Sequence, residues 1–149
     1  MENMFNAGDR AVLQQRLSRL QPSSARQWGK MNAAQMLAHC AAALEMACGD
    51  RQKKQAFIGK LVTPFIRSSF LGPKPLGRNS PTDPDLLIAD ERDFAAERQR
   101  LSMLVDRFCQ AGPDTAGRQI HSFFGRLSGE EWGRLTYKHL DHHLRQFGV

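Results

Sequence analysis

Two capping boxes, each followed by apolar residues at helical spacing, constrain the fold of this chain more than any other feature. Asn32–Gln35 and Ser128–Glu131 both place a polar cap three residues before a Gln or Glu, which satisfies the first free N–H groups of a helix. Apolar residues then recur with a period near 3.6. The pattern predicts one helix that stops at Gly49 and a final helix that runs to Phe147, where Gly148 ends it.

The remaining chain also divides into predicted helices. A first helix runs from about residue 9 to 20, a third from 57 to 71 with a kink or a restart at Pro64, and a fourth from near 90 to 112. The apolar composition of the third helix predicts that it is more buried than the other helices. The proline-rich residues 72–89 predict a long ordered loop. No strand is predicted, so the fold class is all-α: four main helices, one shorter helix and the long loop in a single domain, residues 1–149.

Composition excludes several other classes of protein. The 149 residues are 41% hydrophobic and 24% charged, a balance that favours a globular domain over a disordered or fibrous chain. No apolar run approaches the roughly 20 residues that cross a bilayer, so no membrane partner is expected. Residues 1–6 lack the pattern of an export signal, and three cysteines without paired spacing suit a reducing compartment. A cytoplasmic location is therefore expected.

The chain is basic, which raises the question of nucleic-acid binding. Its formal net charge is +6 and its pI is about 9.7. The cations are interleaved with acids along much of the chain, and the densest basic stretch, residues 51–54, is interpreted as an exposed loop. Basic residues alternating with aromatic ones, which would favour a nucleic-acid surface, are not found. A nucleic-acid partner is therefore not expected.

Histidines carry the chemistry of the sequence. His139 and His143 are four residues apart on the predicted last helix, so both rings leave the same face, which also holds Trp132 and Leu135. Two imidazoles one turn apart can bind one metal ion at about 2.0–2.1 Å from each nitrogen. His39 lies on the apolar Asn32-capped helix and can add a third nitrogen if the two helices face one another. Three histidines with an open position are typical of a catalytic metal site.

A structural interpretation competes with this one. A single histidine on an apolar helix is more often a core residue bonded to a carbonyl than a metal ligand, and histidines four apart also occur by chance. His142, Gln146 and His121 are candidates to lie beside the site, and each also fits an ordinary structural role. Cys40 is rotated by about 100° from His39 and is interpreted as a small buried apolar residue.

The motifs resemble those of a known superfamily. Met36-Leu37-Ala38-His39, with His139-x3-His143 and Gln146 on the last helix, resembles the DinB-like superfamily of metal-binding four-helix bundles. A wider set resembles one branch of it, a domain of unknown function, over nearly the whole chain from about Trp28: Gly72–Pro75, Arg78–Thr82 and His139–Phe147.

This resemblance implies that His39, His139 and His143 hold one divalent metal ion, with zinc and nickel the leading candidates. Some relatives are thiol transferases that join a low-molecular-weight thiol to an electrophile, others are classed as metal-dependent hydrolases, and homodimers are common. We therefore expect an enzyme that activates a thiol or a water on its metal and acts on a small-molecule substrate. A non-catalytic metal- or ligand-binding module is the alternative.

The substrate would need further groups from the protein. Arg78, Lys74 and Arg145 are candidates to hold an anionic part of it, although each also fits an ordinary surface cation. The loop of residues 72–89 is a candidate lid over the metal.

Overall fold

Helices account for most of the chain. The structure is a computed structural model that describes residues 1–51, 54–78, 80 and 82–149. Gln52 and Lys53 of the predicted exposed loop, and Asn79 and Pro81 of the proline-rich loop, lie outside the described residues. Within the described part the elements run in the order α1 (Ala7–Arg19), α2 (Ala33–Cys48), α3 (Phe57–Leu71), a short 3-10 helix (Pro84–Leu86), α4 (Phe94–Ala116), β1 (Ile120–His121), β2 (Gly125–Arg126) and α5 (Gly129–Gln146).

The α2 helix is the centre of the fold. Its first turn is closed by the predicted capping box, in which Asn32 accepts from the Gln35 N–H and Gln35 bonds back to the N–H of Asn32. Its last turn ends at Gly49, whose φ of 87° is accessible to glycine at little cost. Twelve of its sixteen residues are buried, which requires neighbours on nearly every side. The α4 helix packs along it most extensively, and α5 packs against both.

The α5 helix begins as predicted and presents a clear apolar face. Ser128 caps the Glu131 N–H, and the Glu131 carboxylate accepts from the N–H of Ser128. Trp132, Leu140 and Leu144 are buried in the same core as residues of α1, α2 and α4. The helices expected at 32–49 and 128–147 are thus confirmed, and with them the all-α class.

The α4 helix differs from its prediction at both ends. Asp93 accepts from the Ala96 N–H, so the helix begins at Phe94 rather than near Asp90. At the other end Gly112 leaves helical geometry with φ of 78°, as the predicted stop requires. One more helical turn then follows, because Pro113 has the fixed φ that suits the first residue of a helix.

The prediction that the chain has no strand is wrong. β1 and β2 form an antiparallel hairpin in which Ile120 pairs with Arg126 and His121 with Gly125. Each strand has two residues, too few to show the alternating pattern from which a strand is recognised.

The prediction that α3 is the more buried helix is also wrong. Only Gly59, Thr63 and Leu71 of its fifteen residues are buried, whereas the side chains of Phe57 and Phe65 are 76% and 82% exposed. The apolar composition of α3 predicts a core position, yet the helix lies on the surface against α5 and the hairpin. The α3 helix continues through Pro64 as one helix. Among the described residues, no helix combines the length and the hydropathy that a membrane crossing needs.

Candidate metal centre

The packing of α2 against α5 brings three imidazoles together. His39 projects from α2 and meets His139 and His143, which lie one turn apart on α5. The ring centroids are 4.7–4.9 Å apart, and one nitrogen from each ring lies within 4.8 Å of the others. The predicted triad is therefore assembled, and in the described part of the chain this is the group of ligand-type side chains that could hold an ion.

His39 is oriented by the proline-rich loop. Its Nδ1–H donates to the main-chain carbonyl of Leu86, at 2.8 Å. Since Nδ1 carries the proton, the lone pair of the neutral ring is on Nε2, which points toward His139 with an Nε2–Nε2 distance of 2.9 Å. The His39 side chain is 3% exposed, so this orientation is fixed inside the protein.

His143 is oriented in the same way by a side chain. Its Nδ1–H donates to Gln146 Oε1 at 2.8 Å, and Gln146 Nε2 donates in turn to the carbonyl of Trp28 at 2.7 Å. The Trp28 carbonyl can only accept, which determines which end of the Gln146 amide faces His143. The lone pair of the neutral His143 ring is therefore on Nε2. Metal-binding histidines are commonly held by such bonds on the other ring nitrogen.

The charge state of the cluster suits a metal. Burial lowers the pKa of His143 to about 3, with a further contribution from His39. Burial lowers the pKa of His139 well below its usual range, and the neighbouring imidazoles lower it further. The pKa of His39 is also lowered by burial. All three rings are therefore neutral near pH 7, the state in which imidazole binds a cation.

The donor set accordingly fits one divalent ion. Three neutral imidazole nitrogens converge, and two of them are fixed by hydrogen bonds on the far side of the ring. The short Nε2–Nε2 distance between His39 and His139 is equally the length of an N–H···N hydrogen bond, so a metal-free pair is also satisfied. His39 and His143 are buried, whereas His139 has intermediate exposure.

Comparison with known proteins places the chain in a family. The model of the DUF1569 family, described as a protein of unknown function, matches residues 1–148. The chain belongs to the DUF1569 family. No curated protein and no solved structure matches it.

The third histidine of α5, His142, lies beside the triad of this DUF1569 protein. His142 packs edge-on against His143 and against the ring of Trp28, with centroids 5.1 and 5.5 Å apart. Burial lowers its pKa, and a hydrogen bond with the main chain of Leu76 opposes that effect. His142 thus connects α5 to the Trp28 segment and to the proline-rich loop.

His121 is placed near the cluster by the hairpin. Its Nδ1 accepts from the N–H groups of Phe123 and Phe124, at 3.0 and 3.2 Å, so its proton resides on Nε2. Burial lowers its pKa to about 4, against the attraction of the Asp83 carboxylate. His121 is also a minor contributor to the lowered pKa of His139, after burial and the other three histidines. Among described residues, His121 is therefore an N–H donor on the side of the site formed by the hairpin.

The three candidate cations for an anionic substrate, Arg78, Arg145 and Lys74, differ in their surroundings. The Arg78 guanidinium stacks 4.4 Å from the centroid of Trp28. Arg145 forms an ion pair with Asp141 one turn earlier on α5. Lys74 is exposed on the proline-rich loop. The structure thus relates Arg78 to the triad through Trp28 and Gln146 rather than by direct contact.

Cys40 has the role that the sequence predicted. It is 1% exposed, its thiol lies 3.7 Å from the Met36 sulfur, and burial raises its pKa, all of which fits an apolar core residue.

Sequence reasoning missed three residues that build this site: Leu86, Trp28 and Leu76. Leu86 and Leu76 act through their main chains, which leave no mark of residue type. Trp28 only begins the resemblance in the sequence, which does not predict its contacts. Its carbonyl accepts from Gln146, and its ring contacts Arg78 and His142.

Proposed function

We propose that this DUF1569 protein is a metal-dependent enzyme of the DinB-like superfamily, in which His39, His139 and His143 hold one divalent ion, zinc or nickel. The observation that carries the proposal is the orientation of the rings. Leu86 and Gln146 each accept a hydrogen bond from Nδ1 of one histidine, which leaves the lone pair of that ring on Nε2. Core histidines need hydrogen bonds, but they do not need three ring nitrogens within 4.8 Å of one another.

The ion would act as a Lewis acid that lowers the pKa of a thiol or a water in its open position. The residues of the chain would do the rest. His139, the more exposed ligand, marks the side from which substrate enters. His121 carries its proton on Nε2, because its Nδ1 accepts from the Phe123 and Phe124 N–H groups, which makes it a candidate donor to a polar group of the substrate. The superfamily resemblance leads us to propose a reaction of the thiol transferase or hydrolase type on a small molecule.

A second candidate is a non-catalytic metal-binding module. It is favoured by the depth of the site, since two of the three ligands are almost fully buried and are bonded to the surrounding protein, as in a structural site. The superfamily resemblance further leads us to propose a homodimer, which sedimentation velocity would measure.

An activity screen on metal-loaded protein separates the two candidates. Protein loaded with zinc or with nickel is assayed for addition of low-molecular-weight thiols to electrophiles, and for hydrolysis of small esters and amides. His139→Ala is the test variant, and His142→Ala is the matched control on the same helix. Turnover that is lost in His139→Ala and retained in His142→Ala supports the enzyme. A bound metal with no turnover in any assay supports the binding module.

A further inference from the structure

The exposed face of α3 groups four large apolar side chains on the described surface. Its apolar side chains are 55–82% exposed and lie within about 100° of one another around the helix axis. They are Phe57, Ile58, Leu61 and Phe65, called here the α3 stripe. The opposite face already has a partner, because Gly59 and Thr63 are buried and the Thr63 hydroxyl donates to the carbonyl of Phe123 at 3.2 Å. A helix that is apolar on both sides requires a second apolar environment.

The charge of the chain is concentrated in the stretch of sequence that includes α3. Residues 51–82, the basic segment, hold seven of the 21 Lys and Arg residues and none of the 15 Asp and Glu residues. The other residues, with 14 cations and 15 acids, are close to neutral, so the net charge of +6 originates in this segment. Arg51 and Arg67 pair with acids of neighbouring elements, while Lys54, Lys60 and Lys74 are exposed. The interleaving of cations with acids along much of the chain therefore does not extend to this segment.

Charge argues against a second copy of the chain on the stripe. Two α3 stripes face to face would bring together two segments that each hold seven cations and no acid. The exposed fractions correspond to roughly 500 Å² of apolar surface, the size of the largest apolar patch on a typical monomer, which is often functional. An anionic occupant fits the charge. The side chains of Phe57 and Phe65 are largely exposed to solvent. On peripheral membrane proteins, exposed aromatic side chains insert among lipid headgroups and lysines bind the lipid phosphates.

We propose that the α3 stripe and the basic segment bind the protein peripherally to a bilayer surface that contains anionic phospholipid. Peripheral binding does not require a membrane-crossing helix, so it is compatible with the lengths and hydropathies of the described helices. The proposal is independent of the metal site, and it revises the expectation that the protein has no membrane partner.

Vesicle sedimentation tests the proposal with the full chain. The probes are vesicles of phosphatidylcholine alone and of phosphatidylcholine with phosphatidylglycerol, at low and at high salt. We expect binding to the anionic vesicles, weakened by salt because the cations face headgroup charge. Phe57→Ser with Phe65→Ser should lower the partition coefficient at least tenfold. Exposed Met103 on α4 gives the matched control, since Met103→Ser removes apolar surface away from the stripe and should change nothing.

A second pair of variants tests the charge. Replacing Lys54, Lys60 and Lys74 by Gln should weaken binding and reduce its salt dependence. Replacing three exposed cations elsewhere should do neither; these are Arg19, Lys30 and Arg118. Circular dichroism and thermal melting verify that all variants fold. The proposal is overturned if anionic vesicles bind no more protein than neutral ones, or if stripe and control variants lose binding equally. The proposal is also overturned if the protein self-associates without binding vesicles and the double variant Phe57→Ser with Phe65→Ser abolishes that self-association. That result would assign the stripe to a second copy.

Discussion

Gln146 is the residue whose replacement tests the design of the site most sharply. It is 3% exposed, it accepts the Nδ1 proton of His143, and it donates to the carbonyl of Trp28. Gln146→Leu keeps the approximate volume and removes both bonds. Gln146→Glu keeps an oxygen for His143 and removes the donor to Trp28. The two variants therefore separate the orientation of a ligand from the stability of the fold.

The structure sets the expected magnitudes. Gln146→Leu leaves a buried N–H and a carbonyl without partners, at about 1–3 kcal/mol each, so the free energy of unfolding should fall by about 2–6 kcal/mol. His143 also loses the group that holds its ring, and loss of such a partner typically weakens metal binding by about 10–100-fold. Gln146→Glu should retain metal affinity within a few fold, because its carboxylate still accepts from Nδ1, and should lose only the Trp28 bond.

Chelator competition measures the metal affinity, and urea unfolding of metal-free protein measures the stability. The expected pattern is weaker metal binding in Gln146→Leu and nearly unchanged binding in Gln146→Glu, with both variants less stable than wild type. If Gln146→Leu lost stability but bound zinc and nickel as tightly as wild type, the ring of His143 would not depend on Gln146 and the reasoning would be refuted.

Three further outcomes are expected. The pKa of His121 in the folded protein is lowered to about 4, so the metal-free protein loses stability as the pH falls from 6.5 toward 4. Between pH 7 and 5, the free energy of unfolding in urea should fall by about 1–2 kcal/mol more in wild type than in His121→Asn. The Asn side chain keeps an acceptor for the same N–H groups. Equal pH slopes would contradict this. Gly59→Ala should lower the melting temperature, because its Cβ would lie 2.3 Å from the Phe123 carbonyl oxygen; an unchanged melt would mean that α3 does not pack on the hairpin. Ser128→Ala should cost about 1 kcal/mol in urea unfolding through loss of the α5 cap, and no loss would remove the cap from the account.

The helices could be predicted because their signals are local. The capping boxes at Asn32 and Ser128 and the stop at Gly49 act within one turn of the chain, so sequence alone locates these helix ends. The start of α4 was displaced because several acids near Asp90 can cap a helix, and only the structure shows that Asp93 does so.

The burial of α3 could not be predicted, since apolar composition does not say what covers a helix. Its sequence from Phe57 to Leu71 is compatible with a core, a partner or a lipid surface, and only its position against the hairpin shows which side is exposed. The hairpin itself was missed because two-residue strands depend on pairing rather than on pattern.

The triad could be predicted and its supports could not. His139 and His143 share a face by helical spacing, and His39 follows once α2 faces α5. The carbonyl of Leu86 comes from a distant loop, and its approach to His39 depends on how that loop crosses the bundle. Tertiary contacts of this kind leave no motif in the sequence.

Elemental analysis of the purified protein tests the central claim most directly. Wild type is compared with His39→Ala, His139→Ala and His143→Ala, and with His142→Ala as the control. The account predicts about one equivalent of divalent metal per chain in wild type and in the control, and loss of the metal in each ligand variant. No metal in wild type after divalent ions are added back, or equal loss in all four variants, would contradict it and leave the histidines as a hydrogen-bonded part of the core.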